Sequence, residues 1–577
     1  MMTPHRLAPL GLGLVLLAGT TFAACSADET SSTSVAAASS TSATGAGGAG
    51  GTGGTGGAGG VGGAPVAPSD FCVAEGLPSV AFDAVGPYGK KRHQLAEDFE
   101  VPLVDGTTFR LSERFSGCES YVFLTSARRN SDLDSTSLWK RDIDQLTKKS
   151  PRNVHYFFVA NRMAADAQTE LDELAPRLEA ALAKLEPAEA EHFRARLHLV
   201  AKHSSELDGW LGSMLSTGEG RAGFAIDRRQ EIRFLGNFAD VKRFKSALQN
   251  AGKWPWESNL SYASYEARLY NYEAKRAAAL AADGATVVSA WKDEVLKYVV
   301  EKEVDLPDAA AMAGFDTLTI DNVMDCPDPD KGEFGNCGAW DYLAHLYLLD
   351  EDGVTWRELA RFITTYHREG HYTVDATPML AFLKKGGKRK LRYTISPEWN
   401  QQAYLSRVDF RFSNQKKGYR PTTAHPLWGG GAFNSMYAST YTPLELDIPA
   451  TAKRVELWAL ITGHGGATKN CAEFCDHQHE FTVNGNVHLK AHPESTKQDG
   501  CIAEVDDGMV PNQGGTWWFG RGGWCPGQQV KPYVVDVTAE VPAGGKATVS
   551  YRGLLSGATP PDNAGDIVMS SHLVVYE

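Results

Sequence analysis

Three short segments gather the side chains best suited to acid–base chemistry. In Cys471-Ala472-Glu473-Phe474-Cys475, one carboxylate sits at the centre of a tiny loop that a disulfide could close. The stretch Trp517-Trp518-Phe519-Gly520-Arg521-Gly522-Gly523-Trp524-Cys525-Pro526-Gly527 sets a guanidinium among aromatics beside another cysteine. A third cysteine loop, Cys326 to Cys337, is followed at once by Gly338-Ala339-Trp340-Asp341. Two acids and a guanidinium, each tethered to a cysteine staple, read as a rigid polar pocket, because a short closed loop leaves its side chains little room to vary. A buried arginine beside two carboxylates can orient them or depress their pKa values. Most aspartates and glutamates are merely solvated. The spacing is what sets these two apart.

Together these segments resemble the peptide-N-glycosidase F family, secreted bacterial amidases that remove N-linked glycans from asparagine. The resemblance covers roughly residues 286 to 577. Cys337-Gly338-Ala339-Trp340-Asp341 fits the family's cysteine, short gap and Trp-Asp, and implies that Asp341 is the principal catalytic residue. Glu473 matches the second acid, and Arg521 matches the arginine of Arg-x-Gly-Trp-Cys-Pro-Gly. Trp524, Trp518, Trp340 and His464 are candidates for substrate contact, the tryptophans by stacking on sugar faces. Three positions depart from the pattern. Glu398 stands one residue before Trp399 where the family has two, Tyr342 replaces an arginine after the aspartate, and Gly463-His464-Gly465 lacks a tryptophan. The resemblance implies hydrolysis of the glycan–asparagine amide of an N-glycosylated protein or peptide, with no cofactor and no metal. Asp341 and Glu473 are expected on opposite domains facing one cleft, with Arg521 between or beside them.

Two other readings compete. A glycan-binding module could keep the fold without turnover. A copper-dependent monooxygenase-like protein could use His477-Gln478-His479, whose rings share one face of a strand, with His464 nearby. Such enzymes also need a second, three-histidine site, and no convincing one is legible.

The net charge of −13 and pI near 5.7 argue against nucleic acid as the main partner. His5 and Arg6 precede an apolar run from Leu10 to Leu17, too short to span a bilayer. Thr21-Phe22-Ala23-Ala24-Cys25 then resembles a bacterial lipobox. Residues 1–25 are therefore expected to be a lipoprotein signal peptide, with Cys25 lipidated and the chain exported, anchored to the cell envelope or extracellular. Nine cysteines less Cys25 leave eight, an even set for an oxidising compartment. Eight allow 105 pairings. Short loops favour Cys326–Cys337, Cys471–Cys475 and Cys501–Cys525, the pairing the family resemblance also implies, and leave Cys72 for Cys118.

Residues 26–69 are mostly Ser, Thr, Ala and Gly and are expected to form a disordered tether with almost nothing to bury. Residues 70–255 alternate apolar strand-length runs (Tyr121–Leu124, Val154–Val159) with a helical pattern at Leu171, Leu174, Leu178, Leu182 and Leu185. That order predicts an α/β layered domain and resembles thioredoxin-like folds. Cys118 stands alone before its strand with no CxxC, so dithiol exchange is not expected. Residues 256–285 read as a helical connector. Beyond 286 short strands and tight turns predominate, with Asp352-Gly353 and Asn484-Gly485 as hairpin signals. The expectation is two antiparallel β jelly-roll sandwich domains, 286–412 and 413–577.

Overall fold

The computed structural model describes residues 70–126, 138–162, 167–241, 256–400, 403–467 and 471–577. The expected signal peptide, the expected lipidation at Cys25 and the expected tether lie outside these residues. Among the described residues, no helix is long and apolar enough to cross a membrane.

Asn484 and Gly485 both adopt positive φ, 46° and 89°. This is the primed-turn geometry that matches strand twist, and it joins His477–Val483 to Asn486–Ala491. The Asp352-Gly353 signal likewise joins Leu343–Leu349 to Trp356–Ile363. Such hairpins build two antiparallel sandwiches. In the first, one sheet orders Thr286–Leu296, Tyr404–Ser413, Thr317–Asp325 and Gly370–Asp375. The other orders Val299–Asp308, Gly386–Thr394, Leu343–Leu349 and Trp356–Ile363. The second sandwich repeats this order from Pro421–Ala432 to Asp566–Tyr576. The interleaving of first with last strands is jelly-roll topology.

Strand Arg454–His464 shows how the sandwiches join. Val455, Leu457, Ala459 and Ile461 fill the core of the second sandwich. From the opposite face, Trp458 and Leu460 enter the core of the first. A strand covered on both faces reads as a nearly continuous apolar run, and its burial is continuous from Val455 to Gly463. The edge strand Trp356–Ile363 is extended by the other sandwich: Ile363 N–H donates to Gln528 O at 2.9 Å, and Val530 N–H to Arg361 O at 2.9 Å.

The N-terminal unit carries a five-stranded mixed sheet. Leu197–Leu199, Val154–Val159 and Ser120–Thr125 run parallel, and Phe224–Ile226 and Ile232–Phe234 add antiparallel. Helix Gly209–Leu215 packs on one face and helices Ile143–Lys149 and Ala167–Leu182 on the other. The long helix stops at Leu182. Leu185, expected on its stripe, instead packs beside a small cluster with Leu182, Ala190 and Phe193.

Helix Ala263–Ala282 forms within the expected connector. Its first half buries Glu266, Tyr270 and Asn271 where three units meet. Trp517, Trp518 and Phe519 share a core with Val122, Phe158, Tyr262 and Tyr265 of this region. The loop that carries the candidate arginine therefore rests on the N-terminal half of the chain.

Candidate active site

Asp341 ends the cysteine loop and precedes strand Leu343–Leu349. Tyr342 N–H donates to Thr364 Oγ1 at 2.7 Å, Thr364 N–H returns to Tyr342 O at 2.9 Å, and Thr364 Oγ1 donates to Trp340 O at 2.5 Å. The backbone about the aspartate is thus pinned to the neighbouring strand end. Glu473 sits in the single turn Cys471–Phe474, closed by Cys471–Cys475. The turn is tied to the arginine loop by Gly522 N–H to Glu473 O at 2.7 Å. Disulfides also join Cys326–Cys337, Cys501–Cys525 and Cys72–Cys118.

Arg521 lies between the two acids. Its Nε is 3.1 Å from Glu473 Oε1 and its Nη2 is 4.0 Å from Asp341 Oδ2. The guanidinium is only 1% exposed, while the two carboxylates keep 17% and 20% of their side-chain exposure. Its orientation comes from its own loop: Nη1 donates to Phe519 O at 2.9 Å and Nη2 to Thr516 Oγ1 at 2.9 Å. Phe474 and Trp524 flank it at 4.5 and 5.4 Å, a stacked setting that suits a planar, weakly hydrated cation. An acid from each sandwich therefore shares one fixed positive charge.

Burial raises the pKa of both carboxyls. For Glu473 it outweighs the opposing pull of Arg521, helped by the negative charge of Asp341, and the pKa is pushed up to about 7. Asp341 is also raised, with Arg521 and a hydrogen bond from the Tyr366 hydroxyl working against burial. Tyr366 was not legible as a site residue. It sits in Thr364-Thr365-Tyr366, a sequence with no chemical signal. The loop from 510 to 526 holds it, with Tyr366 N–H donating to Gln513 Oε1 at 2.8 Å. Gly515 leaves room for its ring, since a Cβ there would lie 2.7 Å from it.

The proposed contact residues separate. Trp340 flanks Asp341 and is half-buried. His464 stacks on Trp524 with centroids 5.2 Å apart, and Trp524 Nε1–H donates to Gly463 O at 2.9 Å. His464 Nε2 is 2.9 Å from Thr462 Oγ1, the hydroxyl that also accepts from Arg361. Burial and the charge of Arg361 hold the His464 pKa down to about 3, so the ring is neutral. Trp518 is a correction. At 1% exposure, with its ring perpendicular to Trp517, it packs against the N-terminal unit and offers no face to a sugar. Glu398 is solvent-exposed and stands outside the Arg521 pair. Its neighbour Trp399 is 74% exposed and meets Tyr342 edge-on at 5.8 Å, while Asn400 Nδ2 donates to the Tyr342 hydroxyl at 2.7 Å. The substitution at Tyr342 thus builds an aromatic rim beside Asp341.

Fold and side-chain geometry together define a tandem jelly-roll protein with an acid–guanidinium–acid cluster at the sandwich junction. Within it, residues 432–574 match the family model described as peptide-N-glycosidase F, C terminal. Peptide-N(4)-(N-acetyl-beta-D-glucosaminyl)asparagine amidase F of Elizabethkingia miricola is 25% identical over 233 residues, 37% of this chain. The match spans 63% of that relative's length. The C-terminal half of this chain is related to the peptide-N-glycosidase F family. Among solved structures, recombinant peptide:N-glycanase F is 19% identical with a TM-score of 0.40, covering 51% of this chain and 96% of that one. The glycosylasparaginase PNGase F from Flavobacterium meningosepticum is 18% identical with a TM-score of 0.40 over the same shares.

Proposed function

We propose that the chain is an amidase of the peptide-N-glycosidase type, hydrolysing the bond between an N-linked glycan and its asparagine. The observation that carries this reading is the placement of Arg521 between Glu473 and Asp341, one acid from each sandwich. The family relationship of the C-terminal half supports it. Asp341 takes a proton from water as that water attacks the side-chain amide carbon. The C–N bond breaks, the nitrogen leaves as a glycosylamine after gaining a proton, and the peptide keeps aspartate. Glu473, poised near pH 7, holds the proton that such a leaving group needs. Arg521 keeps the carboxylates oriented, and Tyr366 fixes the rotamer of Asp341. The same reading treats residues 70–255 as a thioredoxin-like domain without dithiol exchange.

The test is glycan release from a denatured N-glycoprotein, read by mass as the one-dalton gain when Asn becomes Asp. A positioned acid or base contributes about 10²–10⁴-fold. Asp341→Asn keeps shape and removes charge, so turnover is expected to fall by at least that range with folding intact. Unchanged turnover in the variant rejects the assignment. A wild type that binds N-glycopeptides without cleaving them replaces the amidase with a binding module.

A further inference from the structure

Behind the arginine loop, three histidines meet inside the second sandwich. His477 and His479 project from one face of strand His477–Val483, and His492 follows the paired strand Asn486–Ala491. Their exposures are 0, 0 and 1%. One imidazole nitrogen from each lies within 4.8 Å of the other two. His477 Nδ1 and His479 Nε2 are 2.7 Å apart. Two of the outward nitrogens are already engaged: His479 Nδ1 is 2.7 Å from the Tyr551 hydroxyl, and His492 Nδ1 is 3.3 Å from Glu494 Oε1, while His477 Nε2 is buried with no hydrogen-bond partner. His492 Nε2 is buried with no hydrogen-bond partner. An orphaned polar atom in a dry interior is costly, and it calls for an occupant.

We propose that His477, His479 and His492 bind a divalent transition-metal ion of the zinc class. The donor set is three imidazoles and no carboxylate, which suits zinc and its neighbours and disfavours magnesium or calcium. For His479 and His492, a proton held on the outer nitrogen by Tyr551 or Glu494 leaves the inner nitrogen as a lone pair, the outer-shell arrangement usual for ligating histidines. Zinc–nitrogen bonds of about 2.0–2.1 Å put tetrahedral ligand atoms about 3.3 Å apart. The 2.7 Å contact therefore opens by about 0.6 Å on binding, and separations that reach up to 4.8 Å close toward the same spacing. The ion holds up the loop that carries the arginine and takes no part in the hydrolysis. A Cβ on Gly522 would lie 2.3 Å from His477 Nε2, and one on Gly523 would lie 2.9 Å from His492 Cε1. The residues directly after Arg521 thus lie on two of the imidazoles.

The experiment strips the full chain with a chelator and titrates it with cobalt(II) alone. One equivalent is expected to give the visible bands of tetrahedral cobalt, to be displaced by zinc, and to raise the thermal midpoint. His492→Ala is expected to weaken binding at least about 100-fold and Glu494→Gln about 10–100-fold. Should His492→Ala fail to fold, Glu494→Gln carries the test, because it spares the imidazoles. A wild type with neither cobalt bands nor a zinc-induced thermal shift overturns the proposal. So does unchanged affinity in either folded variant.

Discussion

Glu473 and Asp341 approach the same guanidinium from different sandwiches, and the pH behaviour of Glu473 can be checked without a substrate. Folded Glu473 titrates at about 7 against an ordinary 4.5. Between those values the folded state holds a proton that the unfolded state has released. The stability tied to that proton is complete below pH 4.5 and is lost as pH rises through 7. Glu473→Gln keeps the protonated shape at every pH. Its stability relative to wild type is expected to be near neutral at pH 4 and higher at pH 8 by on the order of 1–3 kcal/mol. Denaturant unfolding at the two pH values measures this, and an equal loss at both would show that Arg521, not burial, dominates the carboxyl. Spacing marked Asp341, Glu473 and Arg521 as a group, because each lies within four residues of a cysteine. It could not mark Tyr366, which reaches Asp341 only because a loop about 150 residues further on positions it.

Strands, turns and the long helices were all legible from local patterns. Alternation and Asn-Gly or Asp-Gly turns act locally, so the hairpins at 352–353 and 484–485 follow from a few residues. The helix at 263–282 was also legible as a helix, yet its burial was not, because its partners lie hundreds of residues away. Strand Ser120–Thr125 illustrates a related limit. Cys118 stands just before it, buried and bonded to Cys72, which is equally buried. Thiol exchange needs an accessible thiolate or a resolving partner, and this bridge supplies neither. An insulin-type disulfide substrate is expected to stay unreduced. Measurable reduction that disappears in Cys118→Ser would refute the proposed inertness of residues 70–255.

The three folded units are joined through charges as well as apolar cores. Arg368 is 2.9 Å from Glu266 on the buried helix and 2.9 Å from Glu333 in the Cys326–Cys337 loop. It also donates to Pro511 O at 2.8 Å and to Phe234 O at 3.2 Å. One guanidinium thus touches the N-terminal sheet, the helix and both sandwiches. Glu266 is fully buried and also accepts from Asn512 Nδ2 at 2.8 Å. Removing one partner of a buried ion pair costs about 3–5 kcal/mol. Glu266→Gln is expected to lower the denaturation midpoint of the full chain by a matching amount while unfolding remains one transition. A midpoint equal to wild type, or a split transition, would mean that the N-terminal unit is not coupled to the arginine loop.

Sequence alone determined the local items: the staple cysteines, the hairpin turns, the two-sandwich texture and the three charged residues worth watching. Each depends on spacings of a few residues, where backbone geometry leaves little freedom. Packing over long separations settled the rest. Trp518 has the composition of a sugar platform, but Tyr262, Tyr265 and the N-terminal core close over its neighbourhood. His492 carries no signal 13 residues beyond His479, and only the strand pairing of 477–483 with 486–491 brings it to the His-x-His pair. Burial is a property of what covers a residue, and what covers these residues comes from distant parts of the chain.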